Sequence, residues 1–470
     1  MKYYISIIIL ALFLSCRKSS KQADRLNFLF IIVDDLRPQF GAYGHPDIRS
    51  PNIDRLAANG LLFNHAYCNI PVCGASRASI LTGLRPLWPV LFTSFNTRVD
   101  KDCPDVITFP ELFRNYGYTT ISNGKVFHHN NDCEKVWSES PWRPYQLTAK
   151  IESVNSQWVD PSSRKYVNKE SGSGPYFECA DVPDSAYFDG QVAAKTVKDL
   201  KRLAKADNPF FLAVGFIRPH LPFNAPKKYY DLYDQVKIAD NRFTPIGLPK
   251  ECSGSKEILT YSKIGQYNSD GFHLEAKRAY YACVSYVDAQ IGKVLDALEE
   301  TGRADQTVVV LIGDHGWHLG EHNFWGKHNV LENVLRIPMI IRIPGMTPKP
   351  IDRVVEFVDM YPTLCAVANI EFPEHLQGKN MLPMVAEEDP EWKDVAFAEW
   401  KGARNITTNR YSYTEWNRKE SGRVHMLFDH KTDPEENENI VDRAEYKEVV
   451  DSLRRKLNNL YTDMNEKNKR

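Results

Sequence analysis

The chain has 470 residues, and its 59 Lys and Arg residues nearly balance its 60 Asp and Glu residues. A chain of this length can bury a large core, which predicts one large domain with a smaller one beside it. The near-zero net charge excludes the overall positive field that nucleic-acid-binding proteins use. We therefore expect no nucleic-acid partner, and any affinity for anions must come from a local site.

The first residues have the pattern of an export signal. An apolar run over residues 3–14 is too short to cross a membrane and is typical of a secretory signal peptide. Residues 14–16 (LSC) resemble a bacterial lipoprotein cleavage site, and an ordinary signal peptide with an incidental cysteine is the alternative. We expect a signal peptide over 1–16 and a polar tether over 17–25. The exported chain would then be lipid-anchored in the bacterial periplasm or at the cell surface, attached to the membrane only through Cys16.

Continuous apolar runs alternate along the chain with helical patterns. The runs cover residues 26–33, 210–216, 307–312 and 339–343. Helices with an apolar stripe are predicted over residues 52–59, 276–300 and 360–367. Continuous apolar strands are typical of a parallel sheet that helices cover on both faces. The sequence therefore predicts an α/β fold with a large, mainly parallel sheet sandwiched by helices.

Polar side chains follow several of these runs directly. They are Asp34, Asp35, His220, Asp314 and His315. Ligands of an open α/β sheet bind beyond the carboxyl ends of its strands, so we expect these side chains to lie at one edge of the sheet. Two adjacent carboxylates repel each other unless a cation lies between them. Asp34-Asp35 therefore indicates a cation site, with a helix cap plus a surface aspartate as the alternative.

The pattern changes beyond about residue 375. Short strands are predicted over 395–400, 411–416 and 426–429, followed by a charged helix over 445–458. This predicts a smaller C-terminal α+β domain with an antiparallel sheet over 376–470, after a larger domain over 26–375. Residues 137–185 are expected to form a long irregular insertion, and loops of that length often face a substrate.

The most informative stretch is residues 71–86, which read PVCGASRASILTGLRP. If a helix begins near Cys73, Arg77 lies one turn above it and can reach back to the group at position 73. The helix N-terminus also presents free N–H groups and a positive dipole end, which suits an anionic substrate. The alternative is structural, because a lone cysteine in an apolar segment is usually a small buried hydrophobic residue.

This stretch resembles the signature of the formylglycine-dependent (type I) sulfatases, whose cysteine is oxidised to an aldehyde during maturation. Residues 313–327 (GDHGWHLGEHNFWGK) and 34–38 (DDLRP) resemble the iduronate-2-sulfatase branch of that family. The resemblance spans nearly the whole mature chain in matching order. Two positions depart from the pattern, since Ala75 stands where proline is common and His318 stands where a small residue is expected.

The resemblance implies an alkaline-phosphatase/sulfatase-like fold and a divalent cation. Its ligands would be Asp34, Asp35, Asp314, His315 and the modified Cys73. Oxygen-rich ligation favours Ca²⁺ or Mg²⁺, and the histidine leaves Mn²⁺ possible. The resemblance also implies a maturation enzyme as a partner, which converts Cys73 to formylglycine.

The remaining roles follow from the same resemblance. Residues 124–128 (GKVFH) match the family's Lys-x-x-His element. Arg77, Lys125 and Lys327 would neutralise charge on the sulfuryl oxygens. His220 would protonate the departing sugar oxygen, and His128 would take a proton from the second hydroxyl of the aldehyde hydrate. Residues expected to contact the sugar or its carboxylate are Trp317, His318, Arg85 and Arg98.

The predicted activity is hydrolysis of a sulfate ester on a sulfated oligosaccharide or polysaccharide. The branch resemblance implies a 2-O-sulfated uronic acid from a heparan-, heparin- or dermatan-type glycan. Three alternatives stay open. They are a sulfatase of an algal polysaccharide, a phosphonate or phosphate monoester hydrolase of the same superfamily, and a non-catalytic glycan-binding lipoprotein that retains an unmodified thiol.

Overall fold

The computed structural model describes residues 25–144, 157–168, 172–418 and 422–467. The predicted signal peptide over 1–16, with Cys16, lies outside these residues, as does most of the predicted tether. None of the helices within the described ranges combines the length and the apolar composition that a membrane crossing requires.

The described residues form fifteen strands. They are β1 (Asn27–Val33), β2 (Leu61–Tyr67), β3 (Thr119–Gly124), β4 (Phe177–Glu178), β5 (Phe210–Phe216), β6 (Phe223–Asn224), β7 (Thr307–Gly313), β8 (His318–Leu319), β9 (Trp325–Gly326), β10 (Met339–Arg342), β11 (Lys349–Glu356), β12 (Ala396–Trp400), β13 (Ala403–Thr407), β14 (Tyr411–Arg418) and β15 (Gly422–Asp429).

Seven of these strands form the central sheet, in the order β11-β2-β10-β7-β1-β5-β3. All neighbouring pairs are parallel except the two that β10 makes with β2 and β7. The predicted large, mainly parallel sheet is therefore confirmed. The four predicted apolar runs are the strands β1, β5, β7 and β10, whose ends differ from the prediction by one residue at most.

The helices of the described ranges lie between and after these strands. They are α1 (Pro51–Ala58), α2 (Cys73–Thr82), α3 (Val99–Asp102), α4 (Phe109–Asn115), α5 (Pro161–Arg164), α6 (Phe188–Leu203), α7 (Lys227–Tyr230), α8 (Asp270–Glu300), α9 (Glu332–Leu335), α10 (Met360–Ala368), α11 (Leu382–Val385) and α12 (Lys447–Lys467). The long predicted helix over 276–300 begins six residues earlier, where the Ser269 hydroxyl caps it by accepting from the Phe272 N–H.

Helices cover both faces of the central sheet because its strands are apolar on both faces. Along β1, alternate side chains such as Phe30 and Ile31 enter two different hydrophobic clusters. The first cluster contains side chains of α2, α4 and α10, and the second contains those of α1, α6 and α8. The sheet is thus buried on both sides, as a parallel sheet requires.

A second sheet follows toward the C-terminus, with the antiparallel order β12-β13-β14-β15. Its inward side chains pack with α12 in a third hydrophobic cluster, which includes Phe397, Tyr413 and Leu457. The predicted antiparallel sheet is confirmed, and it gains the strand β13, which the sequence analysis did not identify. This strand places the Asn405 side chain inside, where it donates to Ser412 and Thr414.

An ionic contact lies where the residues after β15 meet the start of α9. His430 Nε2 lies 2.9 Å from Glu436 Oε1, and Glu436 also accepts the backbone N–H of Glu332 at the start of α9. Burial alone would lower the pKa of His430, but the charge of Glu332 and the hydrogen bond to Glu436 raise it to about 9. His430 is therefore protonated at neutral pH.

We expect protonated His430 to stabilise the folded protein. Because its pKa in the fold, about 9, lies above the unfolded value of about 6.5, the stabilisation is complete below about pH 6.5 and is lost as pH rises through 9. His430→Gln should therefore lower the free energy of unfolding by on the order of 1–3 kcal/mol at about pH 6, and by much less above about pH 9.5. Denaturant unfolding at both pH values measures this, and an equal loss at both would contradict it.

Candidate active site

Five side chains from four elements meet at the carboxyl edge of the central sheet. Asp34 and Asp35 follow β1, Lys125 follows β3, Asp314 follows β7, and Cys73 begins α2. The predicted helix start at position 73 is confirmed. The parallel strands bring these groups together because their carboxyl ends all point to the same edge.

Four of the predicted ligands form a compact, fully buried cluster. One ligand atom each from Asp34, Asp35, Cys73 and His315 lies within 4.8 Å of the others. His315 places Nδ1 3.3 Å from Asp35 Oδ1 and Nε2 3.3 Å from the Cys73 sulfur. Asp34 Oδ1 is buried without a hydrogen bond and lies 3.5 Å from Arg77 Nη2. Two carboxylates and an imidazole are ligands that suit a divalent cation.

Asp314, the fifth predicted ligand, lies at the edge of this cluster. Its Oδ1 accepts the backbone N–H of Asp35 at 3.0 Å, and its Oδ2 accepts from Arg77 Nε at 2.9 Å. His315 Nε2 is 3.7 Å from the same Oδ1. Burial and the charge of Asp34 raise the pKa of Asp314 to about 7. Arg77 therefore bonds to the carboxylate beside position 73, and the described contacts of Arg77 do not include a hydrogen bond to Cys73 itself.

Two buried lysines neutralise the two adjacent carboxylates. Lys125 Nζ pairs with Asp34 Oδ2, and Lys327 Nζ lies 2.9 and 3.1 Å from the Asp35 oxygens. Lys327 Nζ is also 3.4 Å from the Cys73 sulfur. Although burial alone would raise the pKa of Asp34, Lys125 holds that pKa well below its usual range. The ammonium groups of Lys125 and Lys327 therefore flank the place where an anionic substrate would contact the side chain of residue 73.

The surroundings of Cys73 do not favour a thiolate. The residue is 3% exposed, and its burial, together with the charge of Asp34, raises the pKa of the thiol well above the usual value. A cysteine nucleophile requires the deprotonated form. The site is therefore poorly suited to ordinary cysteine catalysis. The two lysines that would bind an anionic substrate, Lys125 and Lys327, nevertheless lie around it.

His220 is held with one ring nitrogen facing the cluster. Its Nδ1 lies 2.6 Å from the Leu221 carbonyl, which can only accept, so the proton sits on Nδ1 in the neutral ring. Its Nε2 is 3.4 Å from Glu257 Oε1 and 3.9 Å from Asp35 Oδ2. Glu257 also approaches Lys327 Nζ at 3.4 Å. The sequence analysis missed Glu257, because no motif marks the short helical turn, Glu257–Thr260, that carries it.

His128 lies at the half-buried mouth of the site. Its Nδ1 has no hydrogen-bond partner, and its ring contacts the ring of the exposed Phe95 edge-on at 6.4 Å. Burial and the charge of Lys125 lower the pKa of His128 to about 2. The imidazole is therefore neutral near physiological pH, with one ring nitrogen unprotonated.

The loop that carries Lys125 and His128 is fixed by two guanidinium groups. Arg77 Nη1 donates to the carbonyls of residues 125 and 126. Arg143 donates to the carbonyls of residues 124, 127 and 128, at 3.2, 2.5 and 3.2 Å. Five consecutive carbonyls are thus bonded to an arginine. The sequence analysis missed Arg143, which lies in the predicted insertion away from every motif.

The predicted sugar-contacting residues lie elsewhere than expected. Trp317 and His318 are fully buried, and His318 is hydrogen-bonded to Asn329, so the structure places both beneath the site instead of at a surface a sugar can reach. Arg85 is engaged with Glu356 in a buried two-bond ion pair. Arg98 pairs with Asp100 at the surface. Neither arginine therefore offers the site a guanidinium group without a carboxylate partner.

Comparison with known proteins agrees with this geometry. The sulfatase family model matches residues 26–370, and the model of the N-sulphoglucosamine sulphohydrolase C-terminal region matches residues 320–463. The iduronate 2-sulfatase of Homo sapiens is 32% identical, over 79% of this chain and 77% of that protein. A sulfatase of Formosa agariphila is 30% identical, over 94% of this chain and 89% of that protein.

The fold is also shared with solved structures. The phosphonate monoester hydrolase of Silicibacter pomeroyi superimposes with a TM-score of 0.74 at 22% identity, over 92% of this chain and 94% of that one. This likeness concerns the fold alone. The family model and the relatives establish that the chain belongs to the sulfatase family, and it is a sulfuric ester hydrolase. The predicted family is confirmed.

We expect Arg143→Met to lower kcat for a sulfate ester by about 10–100-fold with little change in melting temperature, because Lys125 and His128 lose their support while the core is untouched. Arg114→Met is the matched control, since Arg114 also donates to a backbone carbonyl, that of Lys135, but at an exposed position. Steady-state kinetics and thermal melts of both variants test this. An unchanged kcat in Arg143→Met would show that the loop holds its shape without it.

Proposed function

We propose that this sulfatase removes the 2-O-sulfate of a uronic acid in a sulfated glycan, using formylglycine made from Cys73. The observation that supports this most strongly is the position of Cys73. It lies at a helix N-terminus, beside Lys327 and within a cluster of two aspartates and a histidine. That arrangement provides cationic groups for a sulfuryl group.

We propose that Asp34, Asp35, His315 and Asp314 hold a divalent cation beside residue 73. Oxygen donors dominate this set, which favours Ca²⁺, while the imidazole leaves Mn²⁺ and Mg²⁺ as alternatives. When bound, such a cation supplies Lewis-acid stabilisation of negative charge on oxygen. Activity after chelation and readdition of each ion in turn decides among the three.

Each residue of the site has its own role in the proposed reaction. The aldehyde hydrate of residue 73 supplies the attacking hydroxyl and, on loss of the proton of its second hydroxyl, releases sulfate. Lys125 and Lys327 stabilise the charge that develops on the sulfuryl oxygens, and Arg77 holds Asp314 in place. The negative charge of a bound sulfate ester favours the His220 ring with both nitrogens protonated, and that ring gives its Nε2 proton to the sugar oxygen as the S–O bond breaks and returns to the neutral form with the proton on Nδ1. His128 accepts the proton of the second hydroxyl.

The substrate class is supported by the relatives and by the sequence resemblance. The iduronate 2-sulfatase of Homo sapiens is 32% identical to this chain, and residues 313–327 resemble that branch of the family. The predicted export signal and the predicted lipid at Cys16 would give the enzyme access to extracellular glycans. The mass of the mature N-terminal peptide tests the anchor, and a chain with an unlipidated residue 16 contradicts it.

Cys73→Ala is expected to abolish turnover of every sulfate ester while leaving the melting temperature nearly unchanged, because one small buried side chain replaces another. The mass of the peptide that contains residue 73 should show the aldehyde in active wild-type protein. Retained turnover in the variant would rule out the proposed chemistry. An unmodified thiol in wild-type protein that still binds glycan would favour the non-catalytic alternative.

The glycan is tested with a panel of defined sulfated oligosaccharides. We expect kcat/KM for a 2-O-sulfated uronate from heparan or dermatan to exceed that for 6-O- or N-sulfated sugars, ulvan oligosaccharides and phosphonate monoesters by about a hundredfold or more. Sulfate release measured by ion chromatography ranks them. A higher value for an algal oligosaccharide would replace the proposed sugar and leave the sulfatase chemistry intact.

A further inference from the structure

The described ranges contain eight cysteines, and all of them are free thiols in this structure. Five are buried, Cys73 among them, and three are half-buried. The half-buried ones are Cys103, Cys133 and Cys179. The proposed reaction uses none of these three. Two of them, Cys103 and Cys133, lie at the ends of two neighbouring segments close to the mouth of the active site.

These two segments lie side by side. Residues 95–103 include α3, and residues 129–133 follow the loop that carries His128. Arg98 joins the two segments, because its guanidinium group donates to the Asn131 side chain at 2.7 Å and to the Asn131 carbonyl at 2.9 Å. The chain that leaves His128 is therefore held against the chain that enters α3.

The next contact along both segments is made by Asp132. Its carboxylate accepts the backbone N–H groups of Val99 and Asp100, both at 3.0 Å. α3 then makes a single turn, at whose end the Cys103 N–H donates to the Val99 carbonyl at 3.1 Å. Cys133 directly follows Asp132. The contacts thus advance along both segments in the same direction, and each segment reaches its cysteine just beyond them.

The two cysteine side chains share the same surroundings. Both pack against the first hydrophobic cluster, which contains side chains of α2, α4 and α10. Burial and the charges of Asp102 and Asp132 raise the pKa of the Cys103 thiol to about 12. Burial and Asp132 also raise the pKa of the Cys133 thiol, and Cys103 adds to that rise. Each thiol therefore lies near Asp132 and within electrostatic reach of the other.

We propose that Cys103 and Cys133 are joined by a disulfide in the mature protein. The predicted export signal would carry the chain to a compartment in which disulfides form and persist. The bond forms by exchange with a disulfide oxidant. Both S–H bonds break, one S–S bond forms between the cysteines, and two electrons and two protons pass to the oxidant, which leaves as two thiols.

The disulfide closes a loop of about 30 residues that contains α4, β3, Lys125 and His128. Closing such a loop restricts the unfolded chain, so the bond stabilises the part of the fold that carries two residues of the active site. A disulfide is reduced slowly when the thiol that leaves it has a high pKa, and both thiols have one. The cross-link is therefore a lasting structural bond.

Peptide masses test the bond directly. The full mature chain is directed to the periplasm of the expression host and purified without reductant, and free thiols are alkylated under denaturing conditions before digestion. We expect one linked pair of peptides that contains Cys103 and Cys133, and an alkylated Cys179 as the internal control. Alkyl groups on both Cys103 and Cys133, or a bond from either of them to a different cysteine, would overturn the proposal.

Thermal melts with and without reductant measure what the bond contributes. We expect reductant to lower the melting temperature of the wild-type protein by about 3–6 °C and to leave that of Cys103→Ser unchanged, because the variant has no cross-link to lose. Cys133→Ser should behave in the same way. Comparing each protein with itself removes any effect of the serine on packing.

Cys179→Ser is the matched control, since Cys179 is also half-buried and follows β4. Its melting temperature should respond to reductant as the wild-type value does. An equal response to reductant in Cys103→Ser and wild-type protein would contradict the proposal. Neither measurement depends on sulfate release, so this proposal and the proposed function can fail separately.

Discussion

Two buried ion pairs, Lys125 with Asp34 and Lys327 with Asp35, are the constraint on which the rest of the active site depends. Burying two adjacent carboxylates is unfavourable unless each has a cation with good geometry, and removing one partner leaves an uncompensated charge. The aspartates come from the end of β1, while the lysines come from the loops after β3 and β9. The order of strands in the central sheet therefore decides whether these charges can be buried at all. Cys73 and His315 occupy the space that the four charged groups leave between them.

Two arginines of the site, Arg77 and Arg143, mainly fix the backbone. Their guanidinium groups donate hydrogen bonds to backbone carbonyls, and Arg77 also donates to the Asp314 carboxylate. A guanidinium group satisfies several carbonyls at once because its donors lie in one plane. This lets a loop without regular secondary structure keep a fixed shape beneath the mouth of the site. The loop can also lie close to the sheet because Gly215 has no side chain, since a Cβ there would lie 1.9 Å from the Lys125 carbonyl.

The sequence predicted the parts of this structure that depend on local pattern. The buried strands β1, β5, β7 and β10 are continuous apolar runs, and the polar residues after β1, β5 and β7 lie at one edge as expected. The strands β2, β3 and β11 mix apolar and polar residues, so their place in the sheet depends on pairing partners distant in the chain. The same reason explains why Glu257 and Arg143 were missed, since each acts through contacts with residues far away in sequence. Trp317 and His318 were expected to contact the sugar but are buried, because a motif gives a residue's neighbours in sequence and not how deeply its side chain is buried.

The burial of Cys73 has a consequence for how the enzyme is made. An oxidising enzyme needs physical access to the sulfur, and the folded protein does not offer it, because Cys73 and all of α2 are buried. The conversion proposed for residue 73 must then compete in time with collapse of the core around that helix. Chains that close first would be trapped as correctly folded, permanently inert protein. The active fraction of a preparation would therefore depend on the rate of Cys73 oxidation relative to the rate of folding around α2. Overproduction faster than the oxidising enzyme can act would lower the specific activity without any loss of solubility.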